Sequence, residues 1–451
     1  MAGERDTIYA PSTAAGRAGI AVVRISGPRA GAALAALTGR PLPKPRLATR
    51  ARFTGPVSAE TIDDGLALWF PGPRSFTGED VAELHLHGSR AVLSAVLAAL
   101  ASIPGLRLAD AGDFTRRAFD AGKLDLAEVE GLADLIAAET EAQRRQALRQ
   151  LSGELGRLTE AWREQLLRAL AHAEAEIDFP DEDVPGGLIA ALGPVLADIA
   201  AEIRRHLDDN RRGERLRDGL SIAIVGPPNA GKSSLLNRLA RREAAIVSAT
   251  AGTTRDVVEV QLDLAGYPVV VADTAGLHDL EEGGSAHDEI EREGMRRALA
   301  RAQTADVKIL VLDATQAGID PAVRALADAN TLVVANKIDA APAAPVWPGH
   351  RVSPVSAKTG AGLEAFMAEL AREVTLRLGG ADTAAPVITR ARHREALADC
   401  VAALERAREG REAELIAEDL RLAARALGRI TGQIGVEDVL DVIFREFCIG
   451  K

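Results

Sequence analysis

The chain has 451 residues, 47% hydrophobic and 26% charged, which predicts roughly three globular domains and excludes extensive disorder. A formal net charge of −11 excludes broad, nonspecific adhesion to nucleic acid, though not a local basic patch. Two cysteines exclude a disulfide scaffold, and with no signal-peptide pattern and no run of about 18 apolar residues a soluble, cytoplasmic protein is expected.

The segment to about residue 118 reads as α+β. Ile20–Ile25 is a β-branched run closed by the turn residues Ser26-Gly27-Pro28. Gly65–Phe70 is a second strand, stopped at Pro71-Gly72-Pro73. Val81–His87 alternates as a half-buried strand does. From about Leu124 to Asp178 the chain is rich in Ala, Leu, Glu and Arg and has no proline, so a long helical pair or bundle segment is expected, broken at Phe179-Pro180-Asp181. A further helix is expected over about Leu188–Arg212.

Between Leu220 and Leu376 strands and helices alternate. Ser221–Val225, Val269–Ala272, Val307–Leu312 and Thr331–Ala335 are short apolar runs of the buried parallel-strand type. Gly379–Pro386 reads as a linker, and helical texture returns from Ile388 to Lys451. The fold class is therefore multidomain α/β and α. It comprises an N-terminal α+β domain (1–118), a discontinuous helical domain (119–217 and 379–451), and an inserted Ras-like P-loop GTPase domain with a parallel sheet (218–378).

Gly226-Pro227-Pro228-Asn229-Ala230-Gly231-Lys232-Ser233, followed by Ser234, fits the phosphate-loop pattern between a strand and a helix. Glycines let successive N–H groups curl round phosphates, and the helix N-terminus adds its positive end. Lys232 suits the outer phosphates as a catalytic charge, and the Ser233 hydroxyl suits Mg²⁺. Thr254, in Gly252-Thr253-Thr254-Arg255-Asp256, supplies a second candidate Mg²⁺ ligand. Asp273-Thr274-Ala275-Gly276 follows a strand, its Asp suiting the Mg²⁺ water shell and its Gly a γ-phosphate hinge. Asn336-Lys337-Ile338-Asp339 places a carboxylate that accepts two hydrogen bonds from guanine N1–H and its amine, a donor pair adenine lacks. Ser356-Ala357-Lys358 is expected to bring a backbone N–H to guanine O6. The five elements in this order point to a GTPase.

Leu277 stands where Ras has its water-orienting glutamine, and leucine cannot orient water. Hydrolysis is then either feeble or served by another group. Asn229 either holds a monovalent cation beside the phosphates or stabilises the loop.

Further signatures are Asp6-Thr7-Ile8, Gly16-Arg17, Arg24-Ile25-Ser26-Gly27, Phe70-Pro71-Gly72-Pro73, Ser75-Phe76-Thr77-Gly78-Glu79-Asp80, Lys123-Leu124-Asp125-Leu126, Ile177-Asp178-Phe179-Pro180 and Phe447-Cys448-Ile449-Gly450-Lys451. With these, essentially the whole chain resembles the MnmE (TrmE) family of tRNA-modification GTPases. The resemblance implies an N-terminal domain that mediates homodimerisation. That domain would bind a tetrahydrofolate one-carbon donor, 5-formyl or 5,10-methylene, through Arg24, Glu83, Lys123 and Lys451. It implies a K⁺ ion held by Asn229, Ser248, Thr250 and Thr253, where Ser248 stands in place of the common threonine. It also implies a water-orienting Glu291 and a reactive Cys448. The partner implied is the FAD-carrying protein MnmG, with which a (carboxymethyl)aminomethyl group is added at C5 of the tRNA wobble uridine. Arg204-Arg205, Arg211-Arg212-Arg215-Arg217 and Arg390-Arg392-Arg394 either hold tRNA phosphates or are helix-surface charges. A rival reading is a ribosome-assembly GTPase switching on rRNA. Against it stand the single phosphate loop, the lack of a KH-type GxxG module in a βα context after it, and the Cys448-Ile449-Gly450-Lys451 end that the rival leaves unexplained.

Overall fold

A computed structural model of the protein describes residues 6–178, 188–227, 229–242, 259–273, 303–316, 324–325, 327–341, 346–347, 349–379, 387–410, 412–434, 440, 443–444, 447 and 450. Two compact units are present. One comprises Met1–Ala133, Gln150–Arg168 and Ala424–Lys451, the other Asp134–Arg149 and Ala169–Ala423.

The first unit is built on six strands: β1 (Thr7–Pro11), β2 (Ala18–Ser26), β3 (Thr49–Thr54), β4 (Thr61–Phe70), β5 (Val81–Gly88) and β6 (Leu106–Leu108). Their order is β3-β4-β5-β2-β1-β6, antiparallel except for the β1–β6 pair. Alternation turns Val23 and Ile25 of β2 inward with Phe53, Leu84 and Tyr9. Helices α1 (Ala30–Thr38) and α2 (Arg90–Ala101) contribute Leu34, Leu37, Val96 and Leu100 to the same core. Ser89 starts α2 by accepting the Val92 N–H at 3.1 Å. The three expected strands lie within β2, β4 and β5. The sequence reading left β1, β3 and β6 unassigned; β6 is three residues long, and β3 carries Arg50 and Arg52 outward.

Helix α3 (Asp113–Asp120) is followed by α4 (Leu126–Ala137), α5 (Glu141–Leu151) and α6 (Glu154–Asp178). Of the helical pair or bundle segment expected here, the structure shows the second, three helices in succession, and the breaks between them have local causes. At the α4–α5 break Thr140 and Gln143 form a reciprocal cap. The Gln143 side-chain oxygen accepts the Thr140 N–H at 3.0 Å, and the Thr140 hydroxyl accepts the Gln143 N–H at 3.4 Å. Gly153, with φ 77°, opens the second break. At the start of α4, Asp125 accepts the Glu128 N–H at 2.7 Å while Glu128 accepts the Asp125 N–H at 2.8 Å.

Burial, with the Glu128 carboxylate beside it, pushes the Asp125 carboxyl up to about 6. The folded state therefore keeps a proton that the unfolded chain releases near pH 4. The resulting stabilisation is fully present below about pH 4 and is lost as pH rises through about 6. Asp125→Asn keeps a capping oxygen and removes the titration. Urea melts between these pH values are expected to show a shallower decline in the variant; an unchanged decline would assign the effect elsewhere.

Leu440, Ile443, Phe444 and Phe447 pack with Phe119, Leu126 and Val129 in a separate cluster of this unit. Val439 and Val442, in the same C-terminal stretch, lie outside the described residues. Gly112, with φ 75°, allows the approach, since a Cβ there would stand 2.4 Å from the Phe444 carbonyl oxygen.

In the second unit α7 (Leu188–Leu207) is separate from α8 (Arg212–Asp218), where one helix to Arg212 was expected. Asn210 and Arg211 are both left-handed, and the Asp209 carboxylate accepts the Arg211 N–H at 2.9 Å, forming a turn that ends α7. Six strands follow: β7 (Leu220–Val225), β8 (Glu259–Leu264), β9 (Tyr267–Asp273), β10 (Val307–Asp313), β11 (Thr331–Asn336) and β12 (Val352–Pro354), with α9 (Lys232–Arg242) after β7. The order is β12-β11-β10-β7-β9-β8, parallel except for β8, which runs antiparallel to β9. The four expected strands are present; the edge strands β8 and β12 were missed. Helices α10 (Leu363–Leu378), α11 (Ala391–Glu409) and α12 (Ala413–Thr431) follow, with α11 beside α7.

Candidate functional site

Strand β7 lies between β9 and β10, so the chain leaves it towards one side and later returns on the other. A ligand crevice forms at the carboxyl end of a strand in that position. The phosphate loop starts there. Gly226 has φ 148°, and a Cβ would stand 2.3 Å from the Val311 carbonyl oxygen. Gly231 has φ 91°, and its Cβ would stand 2.2 Å from the Asn336 amide nitrogen. No larger residue fits either position. Helix α9 then begins at Lys232, directing its first N–H groups at the loop. The buried Lys232 donates to the carbonyls of Gly226 at 3.1 Å and Pro227 at 2.9 Å, holding its ammonium within the loop. Ser233 and Ser234 are exposed on the first turn. Asn229 is left-handed, φ 60°, which gives it a backbone role of its own, because Asn tolerates that conformation.

The base-reading residues converge on Asn336, which is buried at the end of β11. Its side-chain amide donates to the Ala230 carbonyl at 2.9 Å, and its side-chain oxygen accepts the Ala357 N–H at 2.9 Å. One residue thus ties the phosphate loop to the Ser356–Lys358 loop. Lys337, left-handed at φ 67°, pairs with Asp313 at 2.7 Å. Burial opposes ionisation of Asp313, but the bonds from Lys337 and Thr315 outweigh it and hold the carboxyl low. Ser356 donates its hydroxyl to Asp339 at 2.5 Å, which keeps that exposed carboxyl ionised and below its ordinary range. The set fits a guanine nucleotide: amides and an ammonium for phosphates, and an oriented, charged acceptor for the base. Asp273 ends β9 opposite Ile224 of β7. Ser248, Thr250, Thr253, Thr254, Thr274, Ala275, Gly276, Leu277 and Glu291 lie outside the described residues.

The first unit holds a second polar cluster. Arg24 of β2 stands opposite Glu83 of β5, and their side chains pair at 2.9 Å. The Arg24 guanidinium lies 5.5 Å from the Phe76 ring centre and 5.8 Å from that of Phe114. Lys123 packs over Gly78, where a Cβ would stand 3.4 Å from its Cε. The Ser12 hydroxyl donates to the Gly450 carbonyl at 3.0 Å, just past β1, whose Ala10 stands opposite Arg24. Cys448 and Lys451 lie outside the described residues.

Beneath the cluster is Arg117, a residue the sequence reading passed over. It donates to Glu79 at 2.9 Å and to Asp6 at 2.8 Å, and Ser26 donates to Glu79 at 2.8 Å. Three motif fragments that looked independent in the sequence are therefore joined through the buried Arg117.

Two family models match the chain: the GTP-binding protein TrmE N-terminus over residues 7–123, and the MnmE helical domain over residues 126–448. A tRNA modification GTPase MnmE of Parvibaculum lavamentivorans is 62% identical over 452 residues, covering 99% of this chain and 100% of the relative. The chain belongs to the MnmE family. The protein of that name from Paramagnetospirillum magneticum is 58% identical over 451 residues, covering 99% and 100%. The 5-taurinomethyluridine-[tRNA] synthase subunit GTPB3, mitochondrial, of Danio rerio is 47% identical over 473 residues, covering 99% of this chain and 93% of that one.

In this MnmE-family chain most of the arginines considered for RNA have carboxylate partners. Arg215 pairs with Asp306 at 2.8 Å, Arg217 with Asp134 at 3.0 Å, Arg390 with Asp134 at 2.8 Å, and Arg394 with Asp209 at 2.6 Å. Arg204 also pairs with Glu405. These pairs favour the helix-surface reading for those residues. No described helix is long and apolar enough to cross a membrane.

Proposed function

We propose that this member of the MnmE family hydrolyses GTP to GDP and phosphate, and that hydrolysis drives a homodimer's G domains together and apart. That motion gates the addition of a (carboxymethyl)aminomethyl group at C5 of the tRNA wobble uridine, carried out in the cytoplasm with the FAD-dependent MnmG. The observation that carries the reading is Asn336 joining phosphate loop to base loop, in a chain similar over its full length to tRNA modification GTPases. The helical domain is assembled from 119–217 and 379–451 around the G domain at 218–378.

Within this reading Ser233 and Thr254 hold Mg²⁺, which neutralises charge on the β- and γ-phosphates. Asn229, Ser248, Thr250 and Thr253 hold K⁺, and Glu291 orients the attacking water. Arg24, Glu83, Lys123 and Lys451 bind the tetrahydrofolate donor; the charged Arg24–Glu83 pair against two aromatic rings suits a flat heterocycle with an acidic tail.

With Leu277 unable to orient water, turnover is expected to be slow in Na⁺ and raised by K⁺ at matched ionic strength. Asn229→Gly preserves the left-handed backbone and removes the amide, so it is expected to lose the K⁺ stimulation. Glu291→Ala is expected to lower kcat while nucleotide affinity holds. Equal turnover of the wild-type protein in the two salts would refute the cation role, and a matching loss of affinity in Glu291→Ala would make Glu291 structural.

A further inference from the structure

Arg238 projects from α9, the helix that the phosphate loop feeds. Its Nε donates to the Ala357 carbonyl at 3.0 Å and its Nη2 to the Lys358 carbonyl at 2.9 Å. Both acceptors lie in the loop expected to meet guanine O6. We propose that Arg238 is a positioning residue for guanine recognition, acting by orienting the N–H of Lys358 towards O6. This deepens the guanine-nucleotide reading above and rests on it.

The argument runs through single peptide planes. The Ala357 carbonyl and the Lys358 N–H belong to one peptide unit, and a trans peptide points the two in opposite directions. A guanidinium bound to the carbonyl therefore fixes where the N–H aims. The Ala357 N–H is not available for O6, because Asn336 accepts it at 2.9 Å. The Lys358 N–H has no partner among the described residues. It is the loop's remaining donor at this point, and Arg238 sets its direction. A cation on the carbonyl also polarises the peptide and strengthens its N–H as a donor.

The second arm of the fork acts on the neighbouring plane. The Lys358 carbonyl shares its peptide with the Thr359 N–H, which donates to the Ser356 hydroxyl at 3.1 Å. That hydroxyl in turn donates to Asp339 at 2.5 Å. Arg238 thus steadies both the donor for O6 and the acceptor for N1–H and the amine. The rigid, planar guanidinium spans two carbonyls at once, which a lysine ammonium does not do with the same geometry.

The test is nucleotide binding by the full-length protein, with GDP, ADP and 6-thio-GDP as probes. The 6-thio compound keeps N1–H and the amine but replaces O6 by sulfur, a weak acceptor. Wild-type protein is expected to prefer GDP over both. Arg238→Ala is expected to weaken GDP by roughly tenfold, the size of one well-placed hydrogen bond, and to weaken 6-thio-GDP much less. The GDP preference over 6-thio-GDP should shrink accordingly. For GTP turnover KM should rise while kcat at saturation holds, since the phosphate contacts are untouched. Arg238→Lys should fall between the two proteins. Wild-type affinity for GDP in Arg238→Ala, or equal losses for GDP and 6-thio-GDP, would overturn the proposal. If wild-type protein bound ADP as well as GDP, the guanine reading itself would fail instead.

Discussion

Replacing Asp339 by asparagine is expected to weaken GDP binding on the order of 10³-fold and to favour xanthine nucleotides. The carboxylate is exposed, ionised and oriented by the Ser356 hydroxyl at 2.5 Å, so it presents a fixed negative acceptor. Guanine offers two donors to it, N1–H and the amine. An asparagine retains one acceptor and turns the other position into a donor. That donor faces the guanine amine, which costs a contact and adds a clash of like partners. Xanthine carries a carbonyl in place of the amine and restores the match. Binding of GDP and XDP to both proteins decides it, and a variant that keeps wild-type GDP affinity would remove Asp339 from the base site.

A second large effect is expected at Cys448. Cys448→Ser should abolish tRNA modification in cells and leave GTP hydrolysis nearly unchanged. Its described neighbours in sequence belong to the first unit: Phe447 packs with Phe444, and the Gly450 carbonyl accepts the Ser12 hydroxyl beside the Arg24–Glu83 pair. The Arg24 cluster and the phosphate loop fall in different compact units, so a substitution near the first is expected to leave GTP turnover intact. Cys400 is the useful contrast. It is buried in α11, and burial pushes its thiol up to about 12, so it is a packing residue. If Cys448 also only packed, serine would cost stability and modification would survive. Measuring wobble-uridine modification and GTP turnover on the one variant separates the two cases.

The nucleotide site was legible because each motif is local: glycines forced by a 2.3 Å and a 2.2 Å approach, a lysine and an aspartate at fixed offsets from strand ends. The buried strands β7, β10 and β11 were legible for a related reason, since strands covered on both faces read as continuous apolar runs. The edge strands β8 and β12 carry polar residues and offer no such run. The Thr140–Gln143 cap that separates α4 from α5 was present in the sequence as a Thr-x-x-Gln pattern but was overlooked amid strong helix formers. Arg117 and Arg238 were not legible. Each looks like an ordinary helix-surface arginine, and only the fold brings Asp6 and Glu79 to the one and the Ala357 and Lys358 carbonyls to the other. The arginine clusters left two readings open in the sequence, phosphate contacts or helix-surface charges, and only the carboxylate partners favour the second.

The central claim is tested most directly by nucleoside analysis of tRNA from cells lacking this protein, with the wild-type gene or Lys232→Ala returned on a plasmid. The account expects C5-modified wobble uridine to disappear in the deletion, to return with the wild-type protein, and to stay absent with Lys232→Ala, which loses the ammonium held within the phosphate loop. Full modification in the deletion strain, accompanied by accumulating ribosome precursors, would contradict it and favour a ribosome-assembly GTPase.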